Sequence, residues 1–255
     1  MDGATVDSVD EAAERCLRDV APGRLPVALA GLHRALPVGG VLHLEVCTDD
    51  KHDVSAVDAD RLRDLLVGAG FEPDRQGVAG APGRFVARAR RARTLPDTVG
   101  PAMRLLICGL NPSLYAADAG VPFARPGNRF WPAALAAGLV TADRDPDHAL
   151  RRHRVGMTDL VKRATVAADE LTPAEYRSGL ARVERLVLWL RPGGVCFVGL
   201  AGWRAAVDRR AQPGRQSRHL GGAPVYVMPS TSGLNARTSL SQLEDHLRAA
   251  AAAAG

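Results

Sequence analysis

One feature constrains this chain more than any other. A short apolar run, Leu105-Leu106-Ile107-Cys108, stops at Gly109 and gives way to Leu110-Asn111-Pro112-Ser113. Consecutive apolar residues bounded by a turn suit a strand buried on both faces, as a parallel sheet requires. Pro112 has no N–H, so no ladder continues through it and the strand must end in a loop. A second loop spans residues 120–127 and leads into Asn128-Arg129-Phe130-Trp131. Aromatic, amide and guanidinium groups therefore crowd the ground just past a strand's carboxyl end, in a chain that is only 4% aromatic. Open α/β sheets bind their ligands at that edge.

The same alternation continues downstream. Residues 155–160, 195–199 and 224–228 read as further buried strands, and residues 148–154, 203–210 and 239–253 as helices. The spacing predicts a helix over 128–139 with Phe130, Trp131 and Leu135 inward. Another starts at Thr172, with Pro173 at its first position and Glu175 three residues on, and runs to residue 190. Strands alternating with helices predict an α/β fold, a three-layer α/β/α sandwich with a mostly parallel central sheet, over residues 103–250. Residues 251–255 are an alanine tail expected to fray. Residues 94–102, with Pro96, Gly100 and Pro101, read as a linker.

Residues 1–93 form a smaller unit. Helices are expected at 9–21, 25–36 and 58–69, the last with Leu62, Leu65, Leu66 and Ala69 on one side. Strands are expected at 41–47, 76–78 and 84–89. Five arginines between 84 and 93 are either a solvated strand edge or a strip that contacts phosphate.

Composition sets outer bounds. A 46% hydrophobic chain of 255 residues has ample core. No apolar run reaches the ~18–20 residues of a membrane span. Residues 1–20 are acidic and mixed, unlike a signal peptide. A cytoplasmic, nucleoid-associated protein with no membrane contact is expected. The cysteines, Cys16, Cys47, Cys108 and Cys196, are scattered with no CxxC pair, so free buried thiols are expected and no metal. The net charge of +5 is uneven: residues 1–100 carry −3 and residues 101–255 carry +8. The second part is the candidate for a polyanion, although an arginine-inflating GC-rich genome would also explain a chain whose only lysines are Lys51 and Lys162.

The motifs also carry a resemblance. Gly109-Leu110-Asn111-Pro112-Ser113, the run from Pro122-Phe123 to Phe130-Trp131, Gly156-Met157-Thr158-Asp159-Leu160-Val161 and Met228-Pro229-Ser230-Thr231-Ser232-Gly233-Leu234-Asn235 stand in an order and spacing that resemble the mismatch-specific uracil/thymine DNA glycosylases. The resemblance covers residues 100–250. It implies a uracil-DNA-glycosylase-like sandwich and a monofunctional glycosylase of base excision repair. Such an enzyme turns uracil, ethenocytosine and, less certainly, thymine out of a G·U or G·T mismatch in double-stranded DNA. A monomer without cofactor is implied.

By that resemblance Asn111 positions the attacking water and Phe123 stacks on the everted base, with Leu110, Ser113 and Thr158 lining the pocket. Ser232, Gly233, Leu234 and Asn235 form the loop that fills the vacated stack, Leu234 being the wedge. Arg129 and Arg237 are candidates for phosphate contact, and Asn128 for a helix cap. The family usually has glycine where Ser113 stands, which leaves the range of bases open. An asparagine accepts a hydrogen bond from water but cannot take its proton, so the ~10²–10⁴-fold of general base catalysis is absent from this picture.

Other readings stay open from the residues alone. Asn111 suits a turn before proline, Phe123 a core, Thr158 an ordinary strand and Leu234 an exposed loop. A mismatch- or abasic-site-binding module without catalysis is the rival function. Residues 1–93 resemble the C-terminal half of a class I methyltransferase, through the Pro37-Val38-Gly39-Gly40 turn into a strand and Gly68-Ala69-Gly70-Phe71 after a helix. No glycine-rich loop stands upstream to hold S-adenosylmethionine, so an accessory module is expected there.

Overall fold

The computed structural model describes residues 12–18, 20–47, 57–81 and 83–255. Two sheets organise them. The first contains β1 (Ala12–Arg18), β2 (Val41–Cys47), β3 (Phe71–Ala81) and β4 (Arg84–Arg91), in the order β1-β2-β4-β3. β1 runs parallel to β2, and β4 lies antiparallel to both of its neighbours. Helices α1 (Leu25–Ala35) and α2 (Ala59–Gly68) pack their leucines on one face of this sheet. Asp58 caps α2 by accepting the Arg61 N–H at 2.7 Å.

Two expectations for this unit are corrected. Residues 12–18 are a strand, not a helix, while residues 9–11 and 19 lie outside the described residues. Ala13 and Leu17, four apart, share a side in either conformation, so periodicity alone did not discriminate. Seven-residue pairing with β2 decides for the strand. The arginine-rich strand β4 is central rather than an edge. Its arginines, and Arg93 just past its end, already have partners: Arg84 with Glu45, Arg88 with Asp74, Arg90 with the Gly39 carbonyl, Arg91 with the Leu36 carbonyl and Arg93 with Asp118. They do not form a free strip for phosphate.

The second sheet contains β5 (Leu105–Gly109), β6 (Val155–Asp159), β7 (Val195–Val198), β8 (Gly214–Arg215) and β9 (Val225–Met228). Its order is β6-β5-β7-β9-β8, with every pair parallel except β8 against β9. β5, β6, β7 and β9 are buried throughout, which is why β5, β7 and β9 read as apolar runs, while β6 ends on the buried polar pair Thr158 and Asp159. Six helices accompany them: α3 (Leu114–Ala119), α4 (Phe130–Ala136), α5 (Pro146–His153), α6 (Pro173–Leu190), α7 (Leu200–Ala206) and α8 (Leu240–Ala253).

Alternate strand residues feed two cores. Leu106, Cys108 and Phe197 join the α6 side, whereas Leu105, Ile107 and Cys196 join Phe130, Trp131 and Leu247 on the α4 and α8 side. Helix, sheet and helix thus make the three layers. Trp131 and Phe130 are fully buried, each contributing roughly 1.5–3 kcal/mol of apolar burial. Leu135, expected inward, is 37% exposed. The Thr172 capping box is present, with Thr172 and Glu175 exchanging hydrogen bonds.

The segment 94–102, expected as a linker, is a buried strap. Thr98 and Met157 exchange backbone hydrogen bonds of 2.9 and 2.8 Å. Asp97 accepts hydrogen bonds from Lys162 Nζ, Arg182 Nη1 and Thr158 Oγ1 at 2.7–2.8 Å. Burial raises the Asp97 carboxyl, but the Arg182 and Lys162 cations outweigh it and hold the group below its ordinary value. Proline and glycine in this segment mark irregular backbone, which is not the same as exposed backbone. The alanine tail does not fray either. α8 stays helical to Ala253, and Ala254 docks on Gly193 and Gly194, where a Cβ on Gly193 would stand 2.5 Å from the Ala254 carbonyl oxygen.

Candidate functional site

The site begins where β5 ends. Gly109 pairs with Asp159 of β6, and a Cβ on Gly109 would lie 2.3 Å from Asp159 Oδ1 and 3.4 Å from the Phe123 ring. Glycine is required there because the neighbouring strand's carboxylate occupies that space. The chain then turns through Leu110 and Asn111. Ser113 Oγ accepts the Ala116 N–H at 3.1 Å and starts α3. α3 itself was not anticipated from the sequence.

Asn111 is held by its amide nitrogen. Nδ2 donates to Thr165 Oγ1 at 2.7 Å, to the Arg163 carbonyl at 3.0 Å and to the Pro112 carbonyl at 3.2 Å. Carbonyls accept only, so this end must be the NH₂. The other end, Oδ1, has no protein donor among the described residues and remains an acceptor.

Phe123 has φ of 57°, a left-handed conformation that strains a non-glycine residue by roughly 1–2 kcal/mol. Two contacts hold it. Its ring stacks on Phe130 at 4.1 Å and 22°, and the preceding Pro122 carbonyl accepts the Trp131 indole N–H at 2.8 Å. Of the five non-glycine residues with positive φ among those described, Phe123 is the one that lines this rim. Asn128 Oδ1 accepts the Phe130 N–H at 3.0 Å at the start of α4.

The third loop follows β9. Leu234 is 85% exposed, the most exposed large apolar side chain among the described residues. The loop beneath it is rigidly tied. Ser232 Oγ accepts the Leu234 N–H, and Asn235 Nδ2 donates to the Ser230 carbonyl at 2.8 Å and to Thr238 Oγ1. Arg129 is half-buried below it, with Nη1 and Nη2 each 2.6 Å from the carbonyls of Thr238 and Asn235. Gly233 lies against Gly127, where a Cβ would meet the Gly127 carbonyl at 2.9 Å.

These loops enclose a cavity of about 490 Å³. Leu110, Asn111, Ser113, Phe123, Asn128, Ser232 and Leu234 all line it. The remaining expected residues stand elsewhere. Thr158 lies on the opposite face of the sheet, 5% exposed, donating to Asp97 and accepting from Arg182. Its place in the pocket is thereby corrected: side chains alternate along a strand, and the pairing of Gly109 with Asp159 puts residue 159, not 158, on the Phe123 side. Arg129 is corrected too, since its guanidinium grips the wedge loop from within. Asn235 turns its amide into its own loop. Gly233 and Arg237 are exposed and lie outside the cavity wall.

Two residues of the wall were missed from the sequence. Thr165, 4% exposed, anchors Asn111 and bridges to Ser113. Asp159 lines the cavity and is 7% exposed, and its carboxylate accepts no hydrogen bond among the described residues. Burial pushes its carboxyl up to about 6, with Lys162 pulling down and Asp97 pushing further up. Strand alternation separates Thr158 from Asp159, but only the register against β5 says which of them faces the cavity.

Fold and cavity together define an α/β protein with a polar, aromatic-floored cleft at the carboxyl edge of a parallel sheet. The model of one family, the uracil DNA glycosylase superfamily, matches residues 96–254, well over half of the chain. The chain belongs to the uracil DNA glycosylase superfamily, whose members are DNA glycosylases, hydrolases of DNA repair. It is also similar to a solution NMR structure of a candidate uracil DNA glycosylase from Methanosarcina acetivorans. That match has 23% identity and a TM-score of 0.45, over 61% of this chain and 96% of the other. No helix among the described residues is long and apolar enough to cross a membrane.

Proposed function

We propose that this protein is a monofunctional glycosylase that removes uracil, and ethenocytosine, from opposite guanine in double-stranded DNA. The meeting of Asn111, Phe123 and Leu234 at one cavity is the observation that supports this reading. An everted base slides over the Phe123 ring, whose far face is already stacked on Phe130. Leu234 enters the gap the base leaves. Arg237 and Arg125, both exposed near the cleft, meet the phosphates.

The bond between C1′ of the sugar and the base nitrogen then breaks, and its electron pair leaves with the base as an anion. Water adds its oxygen to C1′ and releases one proton, which passes through solvent and neutralises the departed base anion. Asn111 Oδ1 accepts a hydrogen bond from that water and fixes its approach. Asp159, at the base side of the cavity, is not its proton acceptor. When ionised it opposes the anion forming on the base; when protonated it donates a hydrogen bond to a base carbonyl. Turnover is therefore faster below pH about 6 than above it.

A G·U duplex treated with enzyme and then alkali tests the reading. Wild type cleaves the uracil strand, and Asn111→Ala loses about 10²–10³-fold in single-turnover rate while still binding uncleaved duplex. Intact strands at high enzyme excess, with duplex binding retained, would leave the non-catalytic binding module as the answer. Residues 12–93 serve as an accessory module on this reading, and calorimetry with S-adenosylmethionine gives no binding heat.

A further inference from the structure

Three donors that the sequence scatters come together on the solvent face of the N-terminal sheet. β1 and β2 are parallel neighbours, with Cys16 opposite Glu45 and Arg18 opposite Cys47. Alternation along β2 turns Leu42, Leu44 and Val46 into the core and leaves His43, Glu45 and Cys47 on the outer face. Cys16 Sγ, Cys47 Sγ and a Glu45 carboxylate oxygen all lie within 4.8 Å of one another. Cys16 is exposed and Cys47 is partly exposed, so these thiols are not the buried, inert pair that their scatter suggested.

We propose that Cys16, Glu45 and Cys47 form a zinc-binding site that clips β1 to β2. Two sulfurs and one carboxylate oxygen suit a borderline-soft d¹⁰ cation and disfavour magnesium or calcium, which take oxygen alone. Ligand atoms around a tetrahedral zinc stand roughly 3.3–3.8 Å apart, so the three donors need close by only about 1 Å through side-chain rotation. Two thiolates and a carboxylate bring three negative charges to a dication. Arg18, whose Nε stands 3.1 Å from Cys16 Sγ, offsets part of the excess. Arg84, 2.7 Å from Glu45, has a side chain 72% exposed and turns into solvent to free that carboxylate. A groove of about 560 Å³, lined by Cys16 and Glu45 among others, gives the ion a path and leaves its fourth position to water. β1 pairs only with β2 among the described residues, so a metal bridge between them fastens the edge of the sheet.

The full chain, reduced and stripped by a chelator, is titrated with Zn²⁺ against a chromophoric competitor and separately with Cd²⁺. The site predicts one Zn²⁺ per chain and an ultraviolet thiolate-to-cadmium charge-transfer band. Glu45→Gln binds Zn²⁺ at least about ten-fold more weakly, and Cys16→Ser with Cys47→Ser removes stoichiometric uptake. The cadmium band is read on wild type, so a double variant that misfolds does not decide the matter. Failure of wild type to take up one equivalent, uptake without the band, or equal uptake by a folded double variant overturns the site. So does a Cys16–Cys47 disulfide that persists under reductant.

Discussion

Asp97 and Asp159 are two buried carboxylates of one molecule in opposite conditions. Asp97 comes from the strap, and three donors converge on it, two of them cations. Asp159 ends β6 on the other face of the same sheet, and no donor among the described residues reaches it. The first is held below the usual carboxylate range, and the second is pushed up to about 6. A buried charge with its partners joins two parts of the chain; a buried charge without them keeps its unsatisfied demand available to a ligand. The strap holds the fold, and the cavity floor holds chemistry in reserve.

Substitutions test that contrast, beginning with the most severe. Asp97→Asn removes the carboxylate that hydrogen-bonds both Arg182 and Lys162, leaving only the unbonded Asp159 nearby, and urea unfolding should show a loss of about 3–5 kcal/mol. In wild type the Asp97 contribution is present above its unfolded value, near 3.8, and is lost as pH falls through its lower folded value. A loss under 1 kcal/mol would mean the cluster is solvated.

Asp159→Asn should do the reverse. A carboxyl raised from 3.8 to about 6 weakens the fold wherever it is ionised. The amide should therefore gain on the order of 2–3 kcal/mol above pH about 6 and nothing below pH about 4. Its single-turnover rate should lose the step near pH 6 and exceed wild type at neutral pH. If the variant is instead slower at neutral pH, and wild type slows as acid is added, Asp159 is a general base and its assignment here is wrong.

Leu234→Ala touches neither aspartate. It should lower the single-turnover rate about ten-fold, within the ~1–3 kcal/mol of a lost stacking contact, and leave unfolding unchanged within about 0.5 kcal/mol. Arg88→Ala, which breaks a half-exposed pair with Asp74, should change stability by less than about 1 kcal/mol and uracil removal not at all. A rate effect there would connect the first sheet to the cleft.

The second sheet and its cleft were legible in the sequence, though unevenly, and the two aspartates were not. Three strands of the second sheet, β5, β7 and β9, announced themselves because burial on both faces forces apolar runs, as in Leu105 to Cys108. Asn111, Phe123 and Leu234 were legible through motif order. What stayed hidden depended on pairing. Thr158 was chosen over Asp159 because the segment was read as a string, whereas register against β5 decides which face each residue meets. The strap looked like a linker because Pro96 and Gly100 punctuate it, and nothing local reveals that Arg182, 85 positions away, reaches Asp97. Residues 12–18 were ambiguous for a related reason, since only the neighbouring strand separates a four-residue spacing on a helix from the same spacing on a strand.

The strap also settles where one module can be cut from the other. Asp97 travels with the chain that leads out of the first sheet, whereas its two cations sit in the second. A protease nick ahead of Thr94 leaves the cluster whole. A cut just behind Asp97 would leave two positive side chains in an oily interior, tethered to an anion no longer obliged to stay. Any shortened form of the protein should therefore keep residues 94–102 with the larger half, however much they look like a hinge.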